Sequence, residues 1–138
     1  MVNEALAQNY FKRCKIRVEI LEEFFRKKAF SDVIREAQEV VELLEKAILI
    51  KMGINPPKWH DVIDVIIEHK EELPEKVKKE IIELKNDCKY LRSQRELAFY
   101  GEADFIPDDF YSEEDAKKAI EIAQKMLRIT EKIFREKK

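Results

Sequence analysis

Arg95 is the residue whose type and spacing point most directly to chemistry. It takes the next position of an apolar stripe that recurs every three or four residues through Val77, Ile81, Leu84, Cys88 and Leu91. An arginine there must reach solvent or find an anion, because an unpaired buried charge is too costly. That anion could be a carboxylate, such as Glu42 or an acid within 102–115, which would make Arg95 structural. It could also be a bound phosphate, whose oxygens match the guanidinium fork.

A stripe of basic residues shares the predicted helix with Arg95. The residues spaced to lie close together on it are Lys78, Lys85, Lys89 and Arg92. One interpretation is an ordinary solvated helix face. The other is that Lys89 and Arg92 add positive charge to a phosphate site at Arg95.

The sequence also contains one pair of residues with metal-ligand chemistry. His60 stands beside Trp59 and four residues before Asp64, which could bring an imidazole and a carboxylate to one metal ion. Two ligands do not make a site, and a histidine at the end of a loop commonly forms a structural hydrogen bond. There is no Glu-x-x-His pair, His-Glu-x-x-His motif or glycine-rich phosphate loop. We therefore expect no metal and no cofactor, and residue types alone identify no catalytic set.

Composition restricts both the fold and the function. The chain has 138 residues, of which 41% are charged and 45% hydrophobic, and its net charge is −2. Two glycines are too few for the turns of a β-sandwich or barrel, and four hydroxyl residues leave little room for a serine nucleophile. Abundant Lys and Glu beside four Gln and four Asn are typical of a protein from a hot environment.

Targeting and redox features predict a cytoplasmic protein. No N-terminal apolar run is long enough for a signal peptide, and no stretch approaches the ~18 apolar residues of a membrane span. Cys14 and Cys88 fall at apolar helical positions, which predicts two reduced thiols in the core. We expect no membrane partner.

Apolar periodicity predicts helices along the whole chain. We expect one all-α domain over residues 1–138, an up-and-down bundle of four long helices and one short helix. The short helix is predicted at about 61–71, and the long ones at roughly 3–28, 32–52, 74–99 and 112–134. The second helix is apolar around much of its circumference, so it should lie at the centre of the bundle.

Caps and helix breakers predict where these helices begin and end. Ser31 is the expected N-cap of the second helix, and Gly53 is expected to end it. Gly101 is expected to end the 74–99 helix. Ser112 and Asp115 form a pattern like a capping box at the start of the last helix.

The segment 101–115 joins acidic charge to aromatic side chains, with seven acids and no base. One interpretation is a lid that packs on its own bundle. The other is the pairing surface of a purely structural, dimeric helical adaptor, which would use Phe99, Phe105, Phe110 and Tyr111.

The stretch 28–66, KAFSDVIREAQEVVELLEKAILIKMGINPPKWHDVIDVI, resembles the core of the HEPN family, small helical nucleotide-binding domains of prokaryotes and higher eukaryotes. The similar features are a helix with Glu42 and Lys46, then Gly53, then a proline-containing loop into His60 and Asp61. The later segments LRSQRELAFYG and EEDAKKAIEIAQKML resemble the family's C-terminal half. The resemblance therefore covers nearly the whole chain, through the order and spacing of these features.

This resemblance implies a helical bundle, usually a homodimer, in which the second helix and the 74–99 helix line a cleft containing Glu42, Lys46 and Arg95. Many members are encoded beside a minimal nucleotidyltransferase, and many act as metal-independent ribonucleases or toxins. The ribonuclease motif is an arginine followed, after four to six residues, by a histidine. Here Tyr100 stands five positions after Arg95, and no histidine follows to residue 138. Because the phenol of tyrosine ordinarily ionises near pH ~10, it is a poor general acid or base at neutral pH.

We therefore predict a non-catalytic or weakly catalytic member of this family that binds a nucleotide or RNA phosphate at Arg95. Around the phosphate we place Arg92, Lys89, Lys46, Glu42 and His60. The expected assembly is a homodimer that partners a minimal nucleotidyltransferase in a two-component, toxin–antitoxin-like system. The alternative is a divergent metal-independent endoribonuclease, in which Arg95 stabilises the pentavalent phosphate and Tyr100 replaces the histidine.

Overall fold

The computed structural model describes residues 3–58 and 61–135, apart from the side chain of residue 96. Its helices are α1 Glu4–Arg26, α2 Phe30–Lys51, α3 Val62–Glu68, α4 Glu75–Ser93, α5 Arg95–Phe99, α6 Pro107–Phe110 and α7 Glu113–Arg135. A 3₁₀ turn, Lys70–Glu72, precedes α4. The predicted all-α fold with four long helices is confirmed, and α5 and α6 add two short helices to the one expected. None of these helices is both long enough and apolar enough to cross a membrane.

The second long helix, α2, lies at the centre of the bundle, as its apolar circumference predicts. It packs mainly against α1 and α7 and also contacts α3, α4, α5 and α6. Its fully buried side chains include Val33, Ile34, Ala37, Val40, Leu44, Ala47, Ile48 and Leu49. Burial of each large aliphatic side chain contributes about 1.5–3 kcal/mol, so packing rather than helix propensity stabilises this element.

The start of α2 differs from the prediction. Its N-cap is Ala29, and Ser31 lies in the first turn, where its hydroxyl donates a hydrogen bond to Asp108 (Oγ–Oδ1 2.6 Å). Lys28 has φ +61°, and the amide of Ala29 bonds to the carbonyl of Phe24 at 2.9 Å. The assignment of Ser31 as N-cap is wrong because this left-handed turn after α1 sets the first residue of α2.

Other helix ends agree with the sequence. Gly53 ends α2 with φ +83°, and its amide bonds to the carbonyl of Ile50 at 3.0 Å. Ser112 and Asp115 form the expected capping box: the Ser112 amide donates to Oδ2 of Asp115 (2.9 Å), and the Asp115 amide donates to Oγ of Ser112 (3.2 Å). These local signals predict the boundaries because they use only neighbouring residues.

The helix predicted over 74–99 is interrupted at Gln94, which forms a turn between α4 and α5. The Tyr111 hydroxyl donates a hydrogen bond to Oε1 of the half-buried Gln94 (2.6 Å). Arg95, at the start of α5, is exposed. The prediction that Arg95 continues the apolar stripe inward is therefore wrong, because the chain buries a neutral amide with a partner instead of a guanidinium.

The segment between α5 and α7 is folded onto the bundle. Gly101 ends α5 with φ +71°, and Glu102 and Phe105 then form an isolated antiparallel bridge. A Cβ atom on residue 101 would lie 2.5 Å from the carbonyl oxygen of Phe105, so this turn requires glycine. Tyr111, at the other end, is buried. This arrangement agrees with the lid interpretation of the segment.

Both cysteines are free thiols in the core, as predicted. Burial raises the pKa of Cys14 to about 12, and its thiol donates a hydrogen bond to the carbonyl of Val40. Burial also raises the pKa of Cys88, with the neighbouring Glu45 carboxylate acting in the same direction. Neither thiol is therefore poised to react as a thiolate.

Candidate phosphate-binding site

A surface groove brings together four of the side chains predicted to bind phosphate. Its walls come from α1, α2, the proline turn after α2, the start of α3, the end of α4 and the start of α5. The lining residues are Tyr10, Glu42, Lys46, Pro56, Pro57, Lys58, Val62, Arg92 and Arg95. We call this surface the Arg95 groove.

Arg95 lies in the groove without a carboxylate partner among the described side chains. Glu42, one carboxylate expected to pair with it, binds Arg92 and Lys46 instead. Arg95 also borders an adjoining concave surface that includes Tyr100 and Glu102. Its exposed guanidinium therefore keeps its hydrogen-bond donors available to a ligand.

Behind the groove, ion pairs join α2, α3 and α4. Arg92 binds Glu42 and Asp61, the latter with an Nε–Oδ1 distance of 2.9 Å. Lys89 binds Asp64, with Nζ 2.9 Å from Oδ2. Lys46 completes the set through Glu42 at 3.5 Å. We call these six residues the α2–α4 network: Glu42, Lys46, Asp61, Asp64, Lys89 and Arg92.

The α2–α4 network neutralises Lys89 and Arg92, two of the four residues in the basic stripe. Hydrogen bonding to Asp64 raises the pKa of Lys89, which marks a lysine whose charged form is held by a carboxylate. Lys78, three turns before it, is bound by Glu71 and Glu75 in the same way. A phosphate that contacted Lys89 or Arg92 would compete with the carboxylates that these side chains already bind. Their contact with phosphate stays a prediction, whereas their link to α3 is visible.

A buried carboxyl group lies beneath the network. Glu45 of α2 is buried, and its side chain lines a small cavity together with Cys88 of α4. Burial first, and then repulsion from Glu42, raise the pKa of Glu45 to about 8. Nearby, the buried Gln38 donates from Nε2 to Glu42 at 3.2 Å, and its Oε1 has no partner among the described atoms. The interior beneath the α2–α4 network is thus polar.

The remaining predicted ligand, His60, lies outside the described residues. Asp64, the carboxylate that could have shared a metal with it, is bound by Lys89. Across residues 3–58 and 61–135, no three His, Cys, Asp or Glu side chains stand together as a metal site requires. The exposed cations of the groove, Lys58 and Arg95, are hydrogen-bond donors suited to an anion.

Sequence reasoning missed two residues of this region. Lys58 lines the groove, is exposed, and follows Pro56-Pro57 in a turn that returns the chain toward Arg95. A basic residue directly after such a rigid turn is a signal that could have identified it. Glu45 was also overlooked, although it lies one turn from both Val41 and Leu49 in the apolar part of α2.

The predicted aromatic pairing surface is only partly on the outside. Phe99 and Phe110 are exposed, but Tyr111 is buried and Phe105 packs against the core. The prediction is wrong for Tyr111, because its ring fills the bundle and its hydroxyl holds Gln94. The exposed members remain available for contact.

The chain is similar to one known family of proteins. The family described as HEPN domain matches residues 7–133, nearly the whole chain. Neither the curated proteins nor the solved structures give a match. A groove between α2 and α4 in an all-α bundle also agrees with what the sequence resemblance implies. The chain belongs to the HEPN domain family.

Proposed function

We propose that this domain binds a nucleotide or an RNA phosphate in the Arg95 groove. The observation that carries the proposal is the exposed guanidinium of Arg95, which no described carboxylate neutralises. Lys58 adds an exposed ammonium group to the same groove. Arginine forms paired, charge-assisted hydrogen bonds with phosphate oxygens, so this is the chemistry that the groove favours.

Titration with ATP and with a short single-stranded RNA tests this site. We expect Arg95→Ala to weaken binding at least ~10-fold, because a hydrogen bond to a charged group contributes about 1.5–3 kcal/mol. Arg95→Lys should retain part of the affinity. The matched control is Arg128→Ala, which removes an exposed arginine from α7 outside the groove. Equal affinities for wild type and Arg95→Ala, or no binding by either, would contradict the proposal.

The proposed biological setting is a homodimer that works with a minimal nucleotidyltransferase. It is supported by membership of the HEPN family and by what the sequence resemblance implies. Sedimentation at increasing concentration tests the dimer, and a monomer throughout would remove it. Co-expression with a nucleotidyltransferase encoded beside this chain tests the partner, with co-purification of both proteins as the expected result.

A second candidate is a metal-independent endoribonuclease, favoured by Arg95 and Tyr100 lining one concave surface. In this reaction the 2′-oxygen would bond to phosphorus, the 5′-oxygen would leave with the phenol proton of Tyr100, and water would take the 2′-hydroxyl proton. Incubation with RNA in EDTA tests it. Cleavage that is lost in both Arg95→Ala and Tyr100→Phe would support an enzyme, whereas absent cleavage, or cleavage unchanged in both variants, would reject it.

A further inference from the structure

A surface formed by α5, α6 and the segment between them exposes large apolar side chains. The exposed fractions are 49% for Phe99, 77% for Tyr100, 62% for Ile106 and 58% for Phe110. We call these four residues the α5–α6 surface. Single exposed apolar residues are ordinary, whereas a contiguous group of large ones marks a contact surface, and α5 and α6 are in contact with each other.

The α5–α6 surface is fixed from below rather than loosely attached. The guanidinium of Arg35 lies 4.3 Å from the ring centroid of Phe99, and the Ser31 hydroxyl bonds to Asp108 of α6. Arg35 and Ser31 are one turn apart on α2, so α5 and α6 rest side by side on the same helix. The rings of Phe105 and Phe110 are 4.7 Å apart. A surface held in this way loses little freedom when a partner binds.

The acidic residues around the α5–α6 surface determine which kind of partner can bind it. The surrounding segment 101–115 has seven acids and no base, and Glu102, Asp104 and Asp109 are exposed beside the apolar side chains. RNA lying across Ile106 and Phe110 would be repelled by these carboxylates. A second copy joined through the same patch would also be repelled, since a two-fold interface sets each patch against itself. A complementary occupant must carry basic residues around apolar ones.

We infer that the α5–α6 surface binds a basic amphipathic segment of a partner protein, with apolar side chains on Ile106 and Phe110 and lysines or arginines on the acidic rim. The site adjoins the Arg95 groove, because Arg95 and Phe99 are the two ends of the five-residue helix α5. A partner bound here would stand next to a ligand held by Arg95. The inference goes beyond the proposed phosphate binding and does not depend on it.

Fluorescence anisotropy with a labelled helical peptide tests this surface. The probe is a peptide of about 16 residues with leucines along one face and lysines elsewhere, and the comparison peptide has glutamates in place of the lysines. We expect Ile106→Ala/Phe110→Ala to weaken binding of the lysine peptide at least ~10-fold. The matched control is Ile16→Ala/Ile20→Ala, a second exposed apolar pair spaced four residues apart, on α1.

Different results are expected for a basic peptide, a second copy of the chain and RNA. The basic peptide is supported if the Ile106/Phe110 variant alone binds the lysine peptide more weakly while its ATP titration is unchanged. Arg95→Ala should leave peptide binding unchanged. Equal binding by both double variants, or equal binding of the glutamate peptide, overturns it. Loss of self-association in the Ile106/Phe110 variant would assign the surface to a second copy, and loss of RNA binding would assign it to nucleic acid. Either result overturns the inference.

Discussion

Glu45 lies on α2 with its carboxyl group buried beside Cys88 and close to Glu42. Burial raises its pKa to about 8, whereas in an unfolded chain a glutamate has a pKa near ~4.3. The folded state therefore holds a proton that the unfolded state has lost. The stability of the fold with Glu45 protonated is fully present below the unfolded pKa and is lost as the pH rises through the folded pKa. Between these two pKa values the free energy of unfolding therefore falls with rising pH.

We predict that Glu45→Gln removes most of this pH dependence. The amide keeps the shape of the protonated carboxyl but cannot ionise, so the variant should be more stable than wild type at pH 8 and similar at pH 5. Denaturant unfolding between pH 5 and 8 measures the change, which for one proton reaches ~1.4 kcal/mol per pH unit. The control is Glu19→Gln, an exposed glutamate. Parallel curves for wild type and Glu45→Gln would contradict the assignment.

Arg92 and Arg95 are three residues apart, and we predict that removing Arg92 lowers stability much more than removing Arg95. Arg92→Ala leaves Glu42 and Asp61 without their guanidinium, which should lower the free energy of unfolding by about 1–3 kcal/mol. Arg95→Ala breaks no ion pair among the described side chains and should change it by less than ~0.5 kcal/mol. Chemical denaturation of both variants measures this difference. A large loss for Arg95→Ala would make Arg95 structural.

At this scale the sequence predicted the residue types of the site but not their pairing. Lys89 and Arg92 were identified as a basic stripe, yet Asp61 and Asp64, which neutralise them, lie more than twenty residues earlier in the chain. Such contacts depend on how α3 packs against α4, and the local periodicity of the sequence gives no information about that packing. The inward prediction for Arg95 was wrong for the same reason, since Tyr111 holds the break at Gln94 from outside the helix.

At the scale of the elements, α5 depends on the glycine that ends it. We predict that Gly101→Ala lowers the free energy of unfolding by at least ~2 kcal/mol more than Gly53→Ala does. Among the described atoms, the collision of an added Cβ with backbone occurs at residue 101. Both glycines have positive φ, so the general strain of alanine, about 1–2 kcal/mol, cancels in this comparison. Thermal and denaturant unfolding measure the difference. Equal costs would mean that the bridge between Glu102 and Phe105 does not confine the turn.

Most elements could be predicted because their signals are local. The apolar period of α2 and the capping box at Ser112 agree with the structure, as does the end of α2 at Gly53. The failures have separate causes. Ser31 has the side chain of an N-cap, but the left-handed turn at Lys28 starts α2 earlier, and the hydroxyl of Ser31 binds Asp108 instead. The short α6 lies between the helices predicted over 74–99 and 112–134, where Pro107 at the first helical position starts it.

At the scale of the whole molecule, 41% of the residues are charged, and a net charge of −2 conceals how unevenly positive and negative charges are distributed. Within the described residues most cations of α4 are paired, the 101–115 segment is acidic, and the Arg95 groove has exposed cations that carboxylates do not neutralise. The phosphate binding that we propose would therefore be confined to one small region instead of spread over a basic face. The hot-environment prediction from Lys and Glu content stays a prediction.

The number of cations that contact phosphate determines how strongly salt should weaken RNA binding. For single strands the slope of log K against log salt is about −0.7 per phosphate neutralised, so contact through Arg95 and Lys58 alone gives a slope between ~−0.7 and ~−1.4. If Lys46, Lys89 and Arg92 exchanged their carboxylates for phosphates, five contacts would steepen it to about −3.5. Titrations of one short RNA at several salt concentrations measure the slope. A value near the steeper limit would show that RNA opens the α2–α4 network, and Asp64→Asn should then strengthen binding by freeing Lys89. A shallow slope with no effect of Asp64→Asn keeps the network structural and the phosphate at Arg95.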